Sequence, residues 1–173
     1  TGKEKGYIYG RFGNPTTNQT EDKIAALEAY GLKKEDGSPL ALKAILHSSG
    51  MAAIATLILA NVKSNEKVLT HLSLYGGTQE LVDKVLPNCG IETIIIDFKD
   101  LHLVEETLKN DATIKLLYLE TPANPTLQCV DIEALTQIAH RNGCRVSVDN
   151  TFATPYLQQP FKFGVDFVMH STT

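Results

Sequence analysis

An acidic residue at the end of an apolar segment is the first candidate for chemistry in this sequence. The segment 145–149, with the sequence RVSVD, is predicted to be a strand that ends at Asp149, and Asn150 follows it. Ligands of open parallel sheets bind outside the carboxyl ends of the strands. A carboxylate at that position can pair with a cationic group of a ligand and keep it protonated. The alternative is that Asp149 and Asn150 only form a turn, which both residue types do readily.

A second group of small polar residues follows another apolar segment, at 44–46. The sequence HSSGM, residues 47–51, opens a predicted helix. Small residues at a helix N-terminus leave backbone N–H groups open to an anion, and the helix dipole adds to the attraction. Ser49 offers a hydroxyl, and Gly50 allows a ligand to approach closely. The alternative is an ordinary N-cap at Ser48 or Ser49. The segment matches no Walker loop and no Gly-x-Gly-x-x-Gly motif, so nucleotide binding has no positive support.

Three further segments place polar or aromatic side chains after predicted strands. Tyr75 precedes a pair of glycines and could stack on a flat ring, or it could be a core tyrosine beside a flexible turn. Asn124 lies in the sequence TPANP, a rigid loop that could direct its side chain into the same crevice, although turn chemistry alone also explains it. The sequence HSTT, residues 170–173, supplies hydroxyl groups after the last predicted strand.

These candidates need a sheet whose strands end at one edge. Short, nearly continuous apolar segments alternate with segments of helical character, and this alternation predicts a parallel sheet covered on both faces, with right-handed crossovers. An irregular glycine- and aromatic-rich segment precedes them. The predicted fold class is therefore α/β, a three-layer sandwich with a mostly parallel sheet. The predicted strands are 44–46, 67–71, 92–97, 115–120, 145–149 and 165–169, and the predicted helices are 16–30, 51–61, 78–86, 101–110 and 132–142.

Composition excludes several other classes of function. The chain has 173 residues, 43% of them hydrophobic and 21% charged, with a net charge of −4, which is ordinary for one globular domain. No basic run is present, so we expect neither a nucleic-acid partner nor a membrane partner. The five histidines show no metal-ligand spacing, and we expect no metal site. Three widely spaced cysteines and no signal-peptide pattern favour a reducing cytoplasm.

Several motifs in one order resemble a known family. They closely resemble the Cys/Met-metabolism family of enzymes that use pyridoxal 5'-phosphate (PLP), which includes cystathionine γ-synthase, cystathionine γ-lyase, methionine γ-lyase and O-acetylhomoserine sulfhydrylase. The resemblance covers essentially the whole chain and implies the large domain of a fold-type I PLP-dependent transferase. The motifs are YGR (9–11), NPT (14–16), SGM (49–51), LYGG (74–77), TPANP (121–125), VDNT (148–151) and HSTT (170–173).

The resemblance implies roles for the residues at the predicted strand ends. Asp149 is expected to pair with the protonated pyridine nitrogen, which keeps the ring an electron sink for carbanions. Tyr75 is expected to stack on the ring and to act as an acid or base. Asn124 is expected near the phenolic oxygen of the ring, with Thr151 as a neighbour.

The resemblance also implies how the phosphate is held and how subunits assemble. Tyr9 and Arg11 resemble a pair that reaches the phosphate of the adjacent subunit, and Arg is an always-charged, bidentate anion clamp. That sharing implies a homodimer as the smallest active unit, with a homotetramer common in the family. Residues 1–40 would then form an arm and helix for the neighbouring site, and 41–173 the PLP-binding domain. The residues expected at the phosphate side of the cofactor are Ser49, Gly50, Met51, Ser171 and Thr173.

The sequence departs from the family pattern in three places. Gly77 stands where methionine γ-lyases usually carry Cys, and the loop 31–43 is longer than usual. The sequence stops at Thr173, before the position of the family's lysine and before its small C-terminal domain. We hypothesise that residue 174 of the natural protein is a lysine that carries the cofactor.

The resulting functional prediction is PLP-dependent γ-elimination or γ-replacement on sulfur-containing amino acids or O-acylhomoserines. The expected partners are a small amino-acid substrate and further copies of the same chain. Two alternatives stay open at this point. One is another fold-type I PLP enzyme, either a transaminase or a desulfurase. The other is a non-catalytic α/β binding module.

Overall fold

The structure is a computed structural model, and it describes residues 6, 7, 9–11 and 13–172. These residues fall into two compact units, Thr1–His47 and Ser48–Thr173. The first unit contains one helix, α1 (Pro15–Glu28), among its described residues. Asn14 caps it, because its Oδ1 accepts a hydrogen bond from Thr16 N at 2.9 Å. Pro15 at the first helical position needs no such acceptor.

The prediction of a strand at 44–46 is wrong. The structure describes this segment as irregular, and Ile45 is 77% exposed. Leu46 N donates instead to Glu21 Oε1 of α1 at 2.8 Å. Three apolar residues specify a strand only if a neighbouring strand accepts their backbone hydrogen bonds, and the one bridge described in this unit joins Lys33 to Pro39.

The second unit is an α/β layer structure. Its five strands pair in parallel in the order β2-β1-β3-β4-β5, which confirms the predicted α/β fold class with a parallel sheet. The strands are β1 (Lys67–His71), β2 (Glu92–Ile96), β3 (Ile114–Glu120), β4 (Arg145–Asp149) and β5 (Phe167–Met169), and the main helices are α2 (Gly50–Asn61), α3 (Gly76–Glu80), α4 (Leu101–Asn110), α5 (Ile132–Arg141) and α6 (Thr154–Leu157).

Two apolar cores lie on opposite faces of the sheet. Successive residues of β3 point to opposite faces. Leu117 therefore packs in the core with α4 and α5, and Leu116 packs in the core with α2. Polar caps start the helices of the first core: Asp100 Oδ1 accepts from Leu103 N at 3.0 Å, and Asp131 Oδ1 accepts from Ala134 N at 2.9 Å. The sheet therefore lies between two helical layers.

The predicted helix at 78–86 differs in detail from the structure. Helix α3 is followed by a π-helical turn at Leu81–Val85 and a 3-10 turn at Leu86–Cys89. Pro87 lacks the N–H that an α-helical ladder would need at this point, and the helix tightens there. A second 3-10 turn covers Pro160–Phe163. Among the described helices, none has the length and apolar character to span a bilayer.

Candidate functional site

A cavity of about 330 Å³ opens at the carboxyl edge of the sheet in the second unit. The strand order reverses between β1 and β3, because the chain runs from β1 out to β2 and returns to β3 beside β1. Ligands of open α/β sheets bind at such a switch point. The residues that line the cavity are Ser49, Gly50, Met51, Ile54, Tyr75, Glu120, Pro122, Asn124, Asp149, Thr151, Phe152, Met169 and Ser171.

Asp149 ends β4 and presents its carboxylate to this cavity. Its Oδ1 accepts a hydrogen bond from Thr151 N at 3.0 Å, and its Oδ2 lies 3.5 Å from the Tyr118 hydroxyl, which donates to it. Burial raises the pKa of Asp149, while Thr151 and the nearby His170 oppose that rise. A cationic ligand group would stabilise the carboxylate that burial disfavours.

Gly50 and Ser171 form a close approach on another wall of the cavity. A Cβ on Gly50 would lie 2.9 Å from the Cβ of Ser171, so only glycine fits without displacing the loop after β5. The first amides of α2 have no intrahelical acceptor; the Ala52 amide donates to the Ser49 side chain, which leaves those of Gly50 and Met51 as the candidates for an anion. Thr151 Oγ1 accepts a hydrogen bond from Ser171 N at 2.8 Å, which connects this wall to the Asp149 turn.

The Ser49 side chain caps α2. Its Oγ accepts a hydrogen bond from Ala52 N at 3.1 Å, so the ordinary N-cap interpretation of Ser49 is confirmed. Ser49 also lines the cavity. The cap fixes the first turn of the helix at the point where it faces the cavity, and the two interpretations are compatible.

Tyr75 follows β1 and is 47% exposed at the cavity. A Cβ on its neighbour Gly77 would lie 2.8 Å from Tyr75 Cε1 and 2.8 Å from Met51 Sδ, so both side chains would have to shift to admit it. The ring of Tyr75 and the side chain of Met51 therefore occupy the space that a residue larger than glycine would need. Asn124 lines the same cavity from the loop after β3.

Glu120 is the functional candidate that sequence reasoning missed. It ends β3, is only 4% exposed, and its Oε2 accepts a hydrogen bond from Tyr75 N at 2.7 Å. Burial is the main cause that raises the pKa of this carboxyl to about 7, and the negative charge of Asp149 adds to the rise. In the sequence, Glu120 could be recognised only as the charged last residue of an apolar strand, the same signal that identified Asp149.

Of the predicted site residues, eight line one cavity: Ser49, Gly50, Met51, Tyr75, Asn124, Asp149, Thr151 and Ser171. Tyr9 and Arg11 lie in the first unit, where the Arg11 guanidinium carbon is 4.8 Å from the centre of the Tyr9 ring. The predicted role of Thr173 lies outside the described residues. Among the residues that the structure describes, no group of His, Cys, Asp and Glu is placed to hold a metal ion.

The cavity has a definite chemical asymmetry. Two carboxyl groups line it, at Glu120 and Asp149, and none of the described lining residues is Lys, Arg or His. A helix N-terminus and hydroxyl groups form another wall, near Gly50 and Ser171. A cavity of this kind at the carboxyl edge of a parallel sheet suits a small ligand that carries both a cationic group and an anionic group.

Comparison with known proteins identifies the family. The profile of the Cys/Met metabolism PLP-dependent enzymes matches residues 1–173, and the chain belongs to that family. It is 46% identical over 172 residues to the L-methionine gamma-lyase of Fusobacterium nucleatum, with 99% of this chain and 40% of the relative covered. It is 42% identical over 167 residues to the cystathionine beta-lyase of Bacillus subtilis, with 96% and 39% covered.

Solved structures share the fold. The cystathionine gamma-lyase of Lactobacillus plantarum, complexed with L-serine, superposes with a TM-score of 0.86 at 35% identity, over 98% of this chain and 41% of that one. An O-acetylhomoserine (thiol)-lyase from Campylobacter jejuni, described as putative and carrying a pyridoxyl-lysine monophosphate, superposes with a TM-score of 0.84 at 36% identity, over 98% and 39%. The chain thus spans about two fifths of the length of each of these four relatives.

The residues present fit PLP. The partly buried carboxylate of Asp149 suits the pyridinium nitrogen, because desolvation raises its pKa and a cationic partner would stabilise its charged form. The close approach of Gly50 to Ser171, beside the first turn of α2, suits a phosphate group. Both features line one cavity. The family's cofactor carries a cationic ring nitrogen for the first and an anionic phosphate for the second.

Proposed function

We propose that the whole protein is a PLP-dependent carbon–sulfur lyase or transferase that acts on sulfur-containing amino acids or O-acylhomoserines by γ-elimination or γ-replacement. The observation that carries the proposal is the partly buried Asp149 carboxylate, whose pKa desolvation raises, on a cavity that a helix N-terminus also faces, in a chain of this family. The curated relatives support the substrate class, since they include methionine gamma-lyases and an O-succinylhomoserine sulfhydrylase.

Each residue of the proposed site acts on a particular group of the cofactor or the substrate. PLP, when bound, supplies an electron sink for carbanions. The Asp149 carboxylate holds the proton on the pyridine nitrogen, and Thr151 N orients that carboxylate. The Tyr75 ring covers one face of the cofactor, and its hydroxyl moves protons at the substrate carbons. The amides of Gly50 and Met51 bind the phosphate with Ser171 and Thr173, beside the Ser49 cap, and Asn124 hydrogen-bonds the ring oxygen.

We also propose that the site is completed by a second copy of the chain. The described lining residues include no cationic side chain, although a phosphate dianion is best held by at least one. Arg11 and Tyr9 of a neighbouring subunit would supply the guanidinium and a hydroxyl. The assembly would then be a homodimer or homotetramer with shared sites. The free thiols of Cys89, Cys129 and Cys144 are consistent with a cytoplasmic location.

A second candidate reaction is β-elimination. It is favoured by the 42% identity to the cystathionine beta-lyase of Bacillus subtilis. The two reactions divide cystathionine differently. γ-Elimination releases cysteine, 2-oxobutanoate and ammonia, and β-elimination releases homocysteine, pyruvate and ammonia.

The test is a product assay on the full-length protein loaded with PLP. We would supply methionine, cystathionine, and O-acetylhomoserine with sulfide, each with and without an added oxo acid, and measure oxo acid, thiol, ammonia and acetate. We expect 2-oxobutanoate with ammonia, or homocysteine with acetate, and no product from an Asp149→Asn control that still binds PLP. Pyruvate and homocysteine would establish β-elimination instead. Amino transfer to an added oxo acid without ammonia release, or no turnover on any substrate, would overturn the proposal.

A further inference from the structure

Glu120 combines three features that its place at the end of a strand does not explain. It is buried, it faces the cavity, and it hydrogen-bonds the backbone of a residue proposed to contact the cofactor. Its Cα pairs with that of Asp149 across β3 and β4, so two carboxyl groups lie side by side at the sheet edge. We propose that Glu120 is a positioning residue: as an uncharged carboxylic acid it anchors Tyr75 at the cavity and leaves Asp149 as the only anionic side chain among the described lining residues.

The anchor is a backbone hydrogen bond. Tyr75 precedes α3, and no side chain caps that helix. Its N–H points into the protein, where Glu120 Oε2 accepts it at 2.7 Å. A backbone donor that is withdrawn from water and loses its acceptor destabilises the structure around it. Without Glu120 the Tyr75 turn would therefore shift toward water, and the ring would move with it.

The uncharged state follows from the surroundings of the carboxyl. The titratable groups that face Glu120 are Asp149 on β4 and Tyr118 on β3, and neither is a cation. The uncharged polar groups beside it are the Thr78 side chain of α3 and the Tyr75 amide. Two carboxylates at adjacent strand ends cannot both ionise cheaply in a buried site. Asp149 can gain a cationic partner from the ligand, and so the proton stays on Glu120.

Two unsatisfied buried atoms agree with a proton at this position. Glu120 Oε1 and Thr78 Oγ1 are both buried, and neither has a hydrogen-bond partner at normal geometry among the described residues. Thr78 and Tyr118 are nevertheless close enough to lower the pKa of Glu120 partly. A carboxylate needs donors on both oxygens, whereas a protonated Oε1 supplies a donor itself. A single negative charge in the cavity also favours binding of the ligand. One carboxylate pairs with the pyridinium, whereas a second carboxylate would repel the phosphate.

The inference rests on the proposed PLP site, but its test requires no substrate. In the PLP-bound full-length protein, infrared spectroscopy at about pH 6 should show the C=O band of a carboxylic acid. Glu120→Gln should remove that band. The control Glu92→Gln, at an exposed glutamate on β2 paired with Lys67, should keep it. An identical band in Glu120→Gln, or no band in the unmodified protein, would overturn the uncharged state.

The anchor is tested by hydrogen exchange at the Tyr75 amide. Protection should fall about tenfold in Glu120→Ala and should be largely restored in Glu120→Gln, which keeps a carbonyl acceptor. Unchanged exchange in Glu120→Ala would overturn the anchoring role. If Glu120→Ala does not fold, Glu120→Leu replaces it in the exchange experiment. In that case the infrared band of the unmodified protein is also followed with pH, and it must disappear as the pH rises. A negative turnover assay would sink the proposed reaction and leave all these results standing.

Discussion

Gly50 and Ser171 approach so closely that a Cβ on Gly50 would lie 2.9 Å from Ser171 Cβ and 3.0 Å from Ser171 Oγ. The contact joins the first turn of α2 to the loop after β5. Because the methyl group would displace that loop, the wall proposed to hold the phosphate would change shape.

We expect Gly50→Ala to weaken PLP binding at least tenfold. The added methyl group pushes the Ser171 loop away from the amides of α2. Equilibrium dialysis of the full-length protein against PLP measures the change. Gly76→Ala is the matched control, since a Cβ there meets nothing within 4 Å, and its affinity should stay within about twofold. Equal affinities for the two variants would contradict the phosphate assignment.

We expect Gly77→Ala to displace the Tyr75 ring. A Cβ at residue 77 would lie 2.8 Å from both Tyr75 Cε1 and Met51 Sδ, and both side chains can move away. Turnover should fall by about tenfold, which corresponds to about 1.4 kcal/mol in the barrier, because the ring and its hydroxyl lose their alignment. Circular dichroism in the PLP absorption band reports the displacement directly. An unchanged spectrum would mean that Tyr75 does not contact the cofactor.

Mixed subunits test whether sites are shared. If Arg11 serves the neighbouring site, a dimer of one Arg11→Ala chain and one Asp149→Asn chain contains one site with both changes and one site with neither. We expect each variant alone to be nearly inactive. Each mixed dimer has one intact site of two, so it should show up to about half the activity of an unmodified dimer. Native mass spectrometry verifies the exchange. No recovery in verified mixed dimers would show that Arg11 acts within its own subunit.

Glu120 should make stability depend on pH. The pKa of Glu120 is about 7 in the folded chain against an ordinary value of 4.5. The folded state therefore binds more protons than the unfolded state between pH 4.5 and 7, and the free energy of unfolding falls as pH rises through that window. The loss is on the order of 3 kcal/mol at most.

Urea unfolding of the PLP-free protein at several pH values measures this effect. Glu120→Gln should be about as stable as the unmodified protein near pH 4.5 and more stable than it near pH 8, because the amide has no charge to bury. Glu92→Gln should follow the unmodified protein through this window. Parallel pH curves for Glu120→Gln and the unmodified protein would show that Glu120 does not titrate as its burial implies.

The sequence pattern predicted most of the second unit for a clear physical reason. The central strands β1, β3 and β4 are largely buried on both faces and have short apolar sequences, and Asp149 is recognisable because a charged residue ends such a segment. The first unit was less predictable. The apolar residues at 44–46 resemble a strand, but a strand requires a partner, and no sequence pattern shows whether the partner exists. In the structure the segment forms no strand, and Ile45 is exposed.

Glu120 shows a second limit of sequence reasoning. It ends an apolar strand as Asp149 does, yet its importance depends on the Tyr75 amide, which lies far away in sequence and close in space. The same holds for Gly50, whose lack of a side chain matters only because Ser171 packs against it. Pairs formed by tertiary packing are invisible to patterns of local spacing, whereas the residue types at strand ends are not.

The strand order also has a consequence for how the cofactor and the fold depend on each other. The cavity takes residues from the start of α2 and from the turns after β1, β3, β4 and β5, so no early folding intermediate that lacks one of these strands can present it complete. Parallel strands joined by long crossovers pair slowly, since each pairing closes a large loop. PLP would therefore load late and select the finished fold. Cells starved of the cofactor should accumulate a less stable population of this protein that proteases clear faster.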